Sequence, residues 1–123
     1  MPMKKILVVE DDANMRKLLV DEFNRQGFKT AEASNGEEGL QLVLDFKPDS
    51  IVLDIIMPVM NGAQMLEALR KEEWGKNIPV TILTNASDLG MIATALERGV
   101  CKYIIKSDVA IDDIVKKVAD EIK

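Results

Sequence analysis

Acidic and basic groups stand where apolar runs of this chain stop. Glu10-Asp11-Asp12 follows Ile6-Leu7-Val8-Val9, Asp54 follows Ile51-Val52-Leu53, Thr84 follows Ile82-Leu83, and Lys106 follows Tyr103-Ile104-Ile105. If folding brings Glu10, Asp11 and Asp54 together, the carboxylates repel and raise one another's pKa values. A hard divalent cation relieves that repulsion. All-oxygen ligation by few protein groups suits Mg2+, which keeps waters for an incoming phosphoryl group to replace. Lys106 adds a fixed cation and Thr84 a hydroxyl donor. Such a set can stabilise charge on a transferred phosphoryl group, with one carboxylate as nucleophile. The competing reading, a neutral ligand, leaves the acids without a purpose.

The elements that must position these groups alternate. Short β-rich runs are expected over 6–9, 28–33, 50–53, 79–83 and 101–105. Apolar residues at helical spacing fall between and after them: Met15, Leu18, Leu19 and Phe23; Leu40, Val43 and Leu44; Met65, Leu66 and Leu69; Leu89, Ile92, Ala93 and Leu96; and Ile111, Ile114, Val115, Val118 and Ile122. Gly27 and Gly99 read as helix stops, and Ser34-Asn35-Gly36-Glu37 as a capping box with Ser34 as the cap. The third helix is expected over 62–73. Five β-α units imply a doubly wound parallel sheet with helices on both faces, because each parallel connection needs a crossover. In such α/β folds ligands sit outside the carboxyl ends of the strands. Four of the five strand ends carry the groups named above; strand two ends in Ala33-Ser34 and offers nothing comparable.

The bulk numbers narrow the class. At 123 residues the chain has the length of one domain, and positions 1–3 are expected to derive in part from an expression vector. A net charge of −5, from 21 acids and 16 bases, argues against a nucleic-acid surface, which needs clustered Lys and Arg. No apolar stretch approaches the ~20 residues of a membrane span. One cysteine excludes an internal disulfide and fits a reducing cytoplasm, and the absence of histidine removes His-based metal sites and nucleophile pairs. No G-x-x-x-x-G-K-[ST] or G-x-G-x-x-G follows strand one, and Asp54 is followed by Ile55-Ile56, not by the D-x-D of aspartate-nucleophile phosphatases. Plainer roles suit several residues: Asp12 as a helix cap, Cys101 as a small core filler, and Trp74, Met57, Met60 and Met65 as packing groups.

Taken in order, LVVEDD, IVLDIIMPVMNG, VTILTNAS and YIIKSD resemble the receiver domain of two-component response regulators, the CheY-like family, over essentially the whole chain. The resemblance implies a flavodoxin-like strand order 2-1-3-4-5 and a cytoplasmic, phosphorylation-activated switch that assists only its own phosphorylation and dephosphorylation and is not otherwise an enzyme. It makes Asp54 the phosphoacceptor. Mg2+ would be held by Asp11, Asp54 and the Ile56 backbone carbonyl, with Glu10 acting through water. Lys106 would pair with phosphoryl oxygens, and Thr84 would turn inward with Tyr103 following. The implied partners are a sensor histidine kinase or histidine phosphotransfer protein, and a target on the face formed by the fourth helix, fifth strand and fifth helix. No direct nucleic-acid contact and no membrane insertion are expected. With no output domain after Lys123, output is expected to pass through a partner unless the chain was cut from a longer protein. Two residues depart from the family pattern. Ser107 stands where Pro, joined by a cis peptide, is usual, so a trans Lys106-Ser107 bond is expected, the non-proline cis form costing about 3–4 kcal/mol. Asn85 follows Thr84 where a small residue is usual. The rivals are a phosphorylation-independent interaction module on the same fold and a small phosphatase or phosphotransferase acting on an outside substrate.

Overall fold

The computed structural model describes residues 3–122 except 86, 89, 91, 92 and 94–100, and leaves out the Cys101 side chain. The helix expected around positions 89–96, its stop at Gly99 and the packing role of Cys101 lie outside the described residues. The strands are β1 (Lys5–Val9), β2 (Lys29–Ala33), β3 (Ser50–Asp54), β4 (Val80–Thr84) and β5 (Cys101–Ile105). They form one parallel sheet in the order β2-β1-β3-β4-β5, as expected. The described helices are α1 (Ala13–Arg25), α2 (Gly36–Phe46), α3 (Gly62–Arg70) and a C-terminal helix (Ile111–Glu121).

Side chains alternate along each strand, so both sheet faces become core. Leu7, Val9, Ile51, Leu53, Val80 and Ile82 pack with Val43 of α2 and Met65, Leu66 and Leu69 of α3. Ile6, Val8, Val52, Leu83 and Ile104 pack on the other face with Leu19 and Phe23 of α1 and with Ile114, Val115 and Val118 of the C-terminal helix. Phe23 meets Phe28 edge to face at 5.8 Å, which fixes the return from α1 into β2.

Local chemistry sets the element ends. Asp12 caps α1, its carboxylate accepting from the N–H groups of Asn14 and Met15, and Gly27 turns the chain with φ 94°. The cap of α2 is Asn35 and not Ser34: the Asn35 side chain accepts from the Glu38 N–H at 2.9 Å, while the Ser34 hydroxyl donates to the Glu38 carboxylate. The motif slips one residue because Asn35, in extended conformation, stands three residues ahead of that N–H. Helix α3 stops at Arg70, short of the expected 73. There the Arg70 guanidinium donates to the carbonyls of Gly75 and Ile78, each at 2.8 Å, and so stabilises a turn in place of another helical turn.

Candidate functional site

Sheet register brings the strand ends together. Val9 pairs with Leu53, Asp54 with Leu83, and Thr84 with Ile105. Glu10, Asp54, Thr84 and Lys106 therefore stand at or one residue past the carboxyl ends of four adjacent strands. Each sits there because its strand becomes polar where the apolar core ends.

Carboxylate oxygens of Glu10, Asp11 and Asp54 lie within 4.8 Å of one another. Glu10 and Asp54 are buried, at 1% and 6% exposure, and Asp11 is exposed. The Lys106 ammonium bridges the two buried acids, 3.1 Å from Asp54 Oδ1 and 3.2 and 3.3 Å from the two Glu10 oxygens. Asp54 Oδ1 also accepts from the Ile55 N–H at 2.9 Å. Arg16 braces the first loop by donating to the Glu10 carbonyl at 2.8 Å while its Nε meets Glu32 at 3.1 Å.

The electrostatics follow from burial. Glu10 is pushed up from its ordinary 4.5 to about 7, first by burial and then by the Asp54 charge, against the pull of Lys106. Asp54 is also raised, again chiefly by burial, with Lys106 and the Ile55 N–H opposing. Burial works against the Lys106 charge, yet Glu10 and Asp54 together outweigh it and hold the ammonium above its usual range. The donor set fits a divalent cation: it is all oxygen, excess negative charge remains after Lys106, and one member faces solvent through which an ion can enter.

Other expected residues stand differently. Thr84 is buried, and its hydroxyl donates to the Asn85 carbonyl at 3.0 Å. Asn85 itself is exposed, and its carbonyl also accepts from the Asp88 N–H. Tyr103 lies on the edge strand, 45% exposed, and the Ile56 side chain is 49% exposed on the loop after β3. The Lys106-Ser107 bond is trans, since no described peptide bond is cis, and Lys106–Asp108 forms a single 3-10 turn. Trp74 lines an apolar groove with Leu44, Pro48 and Ile78, away from the acids. The direct Glu10–Lys106 pair was missed from sequence, because 96 residues separate its members; the apolar-to-charged transitions at both strand ends were the available signal.

The family model described as the response regulator receiver domain matches residues 6–119. The chain is 37% identical over 102 residues to Regulatory protein AtoC of Escherichia coli (strain K12), covering 83% of this chain and 22% of that protein. It is 34% identical over 103 residues to DNA-binding response regulator MtrA of Mycolicibacterium paratuberculosis, covering 84% and 44%. The Francisella response regulator 1452 receiver domain superposes with a TM-score of 0.82 at 31% identity, covering 95% of this chain and 94% of that one. Chemotaxis response regulator CheY4 of Vibrio cholerae superposes with a TM-score of 0.86 at 23% identity, covering 99% and 100%, a likeness of fold. The chain spans less than half the length of the curated relatives it matches. MtrA is DNA-binding by name, so the expected absence of a nucleic-acid partner is not borne out for proteins of that length. Among the described residues no helix is long and apolar enough to cross a membrane.

Proposed function

This chain belongs to the response regulator receiver domain family of two-component signalling, and on that premise we propose that it is a single receiver domain switched by phosphorylation of Asp54. The observation that carries the reading is Lys106, bridging two buried carboxylates inside a cluster of three. Both described donors to Asp54, Lys106 and the Ile55 N–H, go to Oδ1, which leaves Oδ2 as the attacking oxygen. That oxygen forms a bond to phosphorus as the P–N bond of a donor phosphohistidine breaks, and the imidazole leaves on the partner. Lys106 then has a phosphoryl oxygen in place of part of its carboxylate contact. Asp11, Asp54 and the Ile56 carbonyl would hold Mg2+, with Glu10 acting through water. When bound, Mg2+ supplies charge compensation for the phosphoryl oxygens. Thr84 exchanges its bond to the Asn85 carbonyl for one to the phosphoryl group, a one-bond switch next to β5.

The donor is a sensor histidine kinase or histidine phosphotransfer protein, and the setting is the cytoplasm. The output surface includes β5 and the C-terminal helix. A groove of about 340 Å3 there is lined by Tyr103, Lys102, Thr81, Lys117 and Glu121. The exposed Tyr103 ring on its wall suits a residue that reports the state of Thr84 to a partner. The test is addition of beryllofluoride, a phosphoryl mimic, with Mg2+, followed by amide shifts. Shifts around Thr84 and Tyr103 support the switch. Their absence favours a phosphorylation-independent module, and turnover of a small phosphate ester that is lost in Asp54→Asn favours an enzyme.

A further inference from the structure

The turn between β2 and α2 offers the site no charged group, yet it touches both loops that do. The Ala33 carbonyl accepts from the Glu10 N–H at 3.0 Å, and the Gly36 N–H donates to the Met60 carbonyl at 2.9 Å. Two backbone hydrogen bonds three residues apart thus join the loop of Glu10 and Asp11 to the loop that follows Asp54.

The second contact has little slack. A Cβ on Gly36 would stand 2.7 Å from the Met60 carbonyl oxygen, 2.9 Å from Met60 Cγ and 3.0 Å from Met65 Cβ. The first of these is backbone and cannot swing aside. Met60 in turn donates its N–H to the Pro58 carbonyl at 2.7 Å, closing a γ-turn around Val59 at φ 67°. That backbone region disfavours a β-branched residue, and γ-turns of this hand are rare. Val59 is 75% exposed, so its own packing does not hold the turn. The loop is instead fixed at its ends, by Gly36 to Met60 and by the Gly62 N–H to the Ile55 carbonyl at 2.8 Å.

We propose that the β2–α2 turn is a clamp that sets the spacing of the two acidic loops, with Gly36 as a positioning residue for the site. The proposal rests on the reading of that site as an Mg2+-dependent phosphoryl acceptor. Gly36 touches neither metal nor phosphoryl group. It acts through Met60 on the short loop that starts at Asp54 and carries the Ile56 carbonyl.

Gly36→Ala is to be compared with Gly75→Ala in the full chain. Gly75 is the matched control: a Cβ there would meet the Leu69 carbonyl oxygen at 2.6 Å, at the opposite edge of the sheet. Two quantities are read at a temperature where circular dichroism shows each variant folded: the Mg2+ dissociation constant by calorimetry, and the metal-free amide shifts of Ile55, Ile56 and Met60. Gly36→Ala should weaken Mg2+ binding by about tenfold, the scale of a lost ligand-orienting contact, and move those amides; Gly75→Ala should do neither. If Gly36→Ala does not fold, Asn35→Ala, which loosens the α2 cap, takes its place with an expected weakening of about fivefold. The clamp is overturned if the folded variant leaves both quantities where Gly75→Ala leaves them. If the unaltered protein binds no Mg2+, the reading of the site fails, and the metal-free amides still decide the clamp.

Discussion

The two edges of the sheet use the same kinds of charged residue to opposite effect. At the amino-terminal edge, charges close the backbone. The Lys5 N–H donates to Asp49, the Lys5 ammonium reaches the Phe46 carbonyl, and Arg70 gathers the carbonyls of Gly75 and Ile78. Each such bond satisfies a polar group that would otherwise be stranded, so it stabilises the fold. At the carboxyl-terminal edge, Glu10 and Asp54 are buried beside each other and share one lysine. Their raised pKa values show that the fold holds these carboxylates against the preference of each for water. The same side chains stabilise one edge and burden the other, and the burdened edge is where a ligand has something to relieve.

The largest expected effect comes from removing the shared cation. Lys106→Ala strands two buried acids and should destabilise the metal-free protein by about 3 kcal/mol at pH 8. At pH 5 the loss should be smaller, because Glu10 is then mostly protonated; chemical denaturation at the two pH values checks this. Mg2+ binding should survive in this variant, and its loss would contradict the division of roles between lysine and metal. Arg70→Ala should cost about 2 kcal/mol through the stranded carbonyls, equally at both pH values and without change in Mg2+ affinity. A pH-dependent Arg70 effect would erase the contrast between the edges.

Glu10→Gln tests the burden itself. Glu10 titrates near 7 in the folded protein, against an ordinary 4.5. Between those values the folded state holds a proton that the unfolded state has released, so stability falls as pH rises through that window. Glu10→Gln should flatten the fall and raise metal-free stability at pH 8 by about 1 kcal/mol, discounted for the weakened lysine contact. Saturating Mg2+ should flatten it in the unaltered protein. At the small end, Lys71→Ala breaks an exposed pair with Glu67 and should change stability by under about 0.5 kcal/mol in a thermal melt.

Much of this contrast was legible in the sequence. Apolar runs that end in Glu10, Asp54, Thr84 and Lys106 marked four strands and the candidate site at their carboxyl ends, because a buried parallel strand must become polar where it leaves the core. Strand order came from the likeness of motifs, since alternation alone does not order a sheet. The Ser34 cap was misplaced by one residue because Asn35 beside it is an equally good acceptor and only backbone conformation decides between them. The end of α3 was placed too late because the Arg70 side chain turns to carbonyls five and eight residues further along the chain, contacts that helical spacing of apolar residues does not signal. The turn at Ala33–Gly36 was passed over for a different reason: its contacts to the site are made by backbone atoms, which leave no charged letter to read.

The central claim is that Asp54 is the group whose modification the rest of the site exists to stabilise. Its most direct test is an amide-shift titration of the unaltered protein and of Asp54→Asn with beryllofluoride and Mg2+. The unaltered protein should show saturable shifts at Thr84, Tyr103 and Lys106, and Asp54→Asn should show none. Shifts that persist in Asp54→Asn, or an unaltered protein that does not respond, would contradict the account.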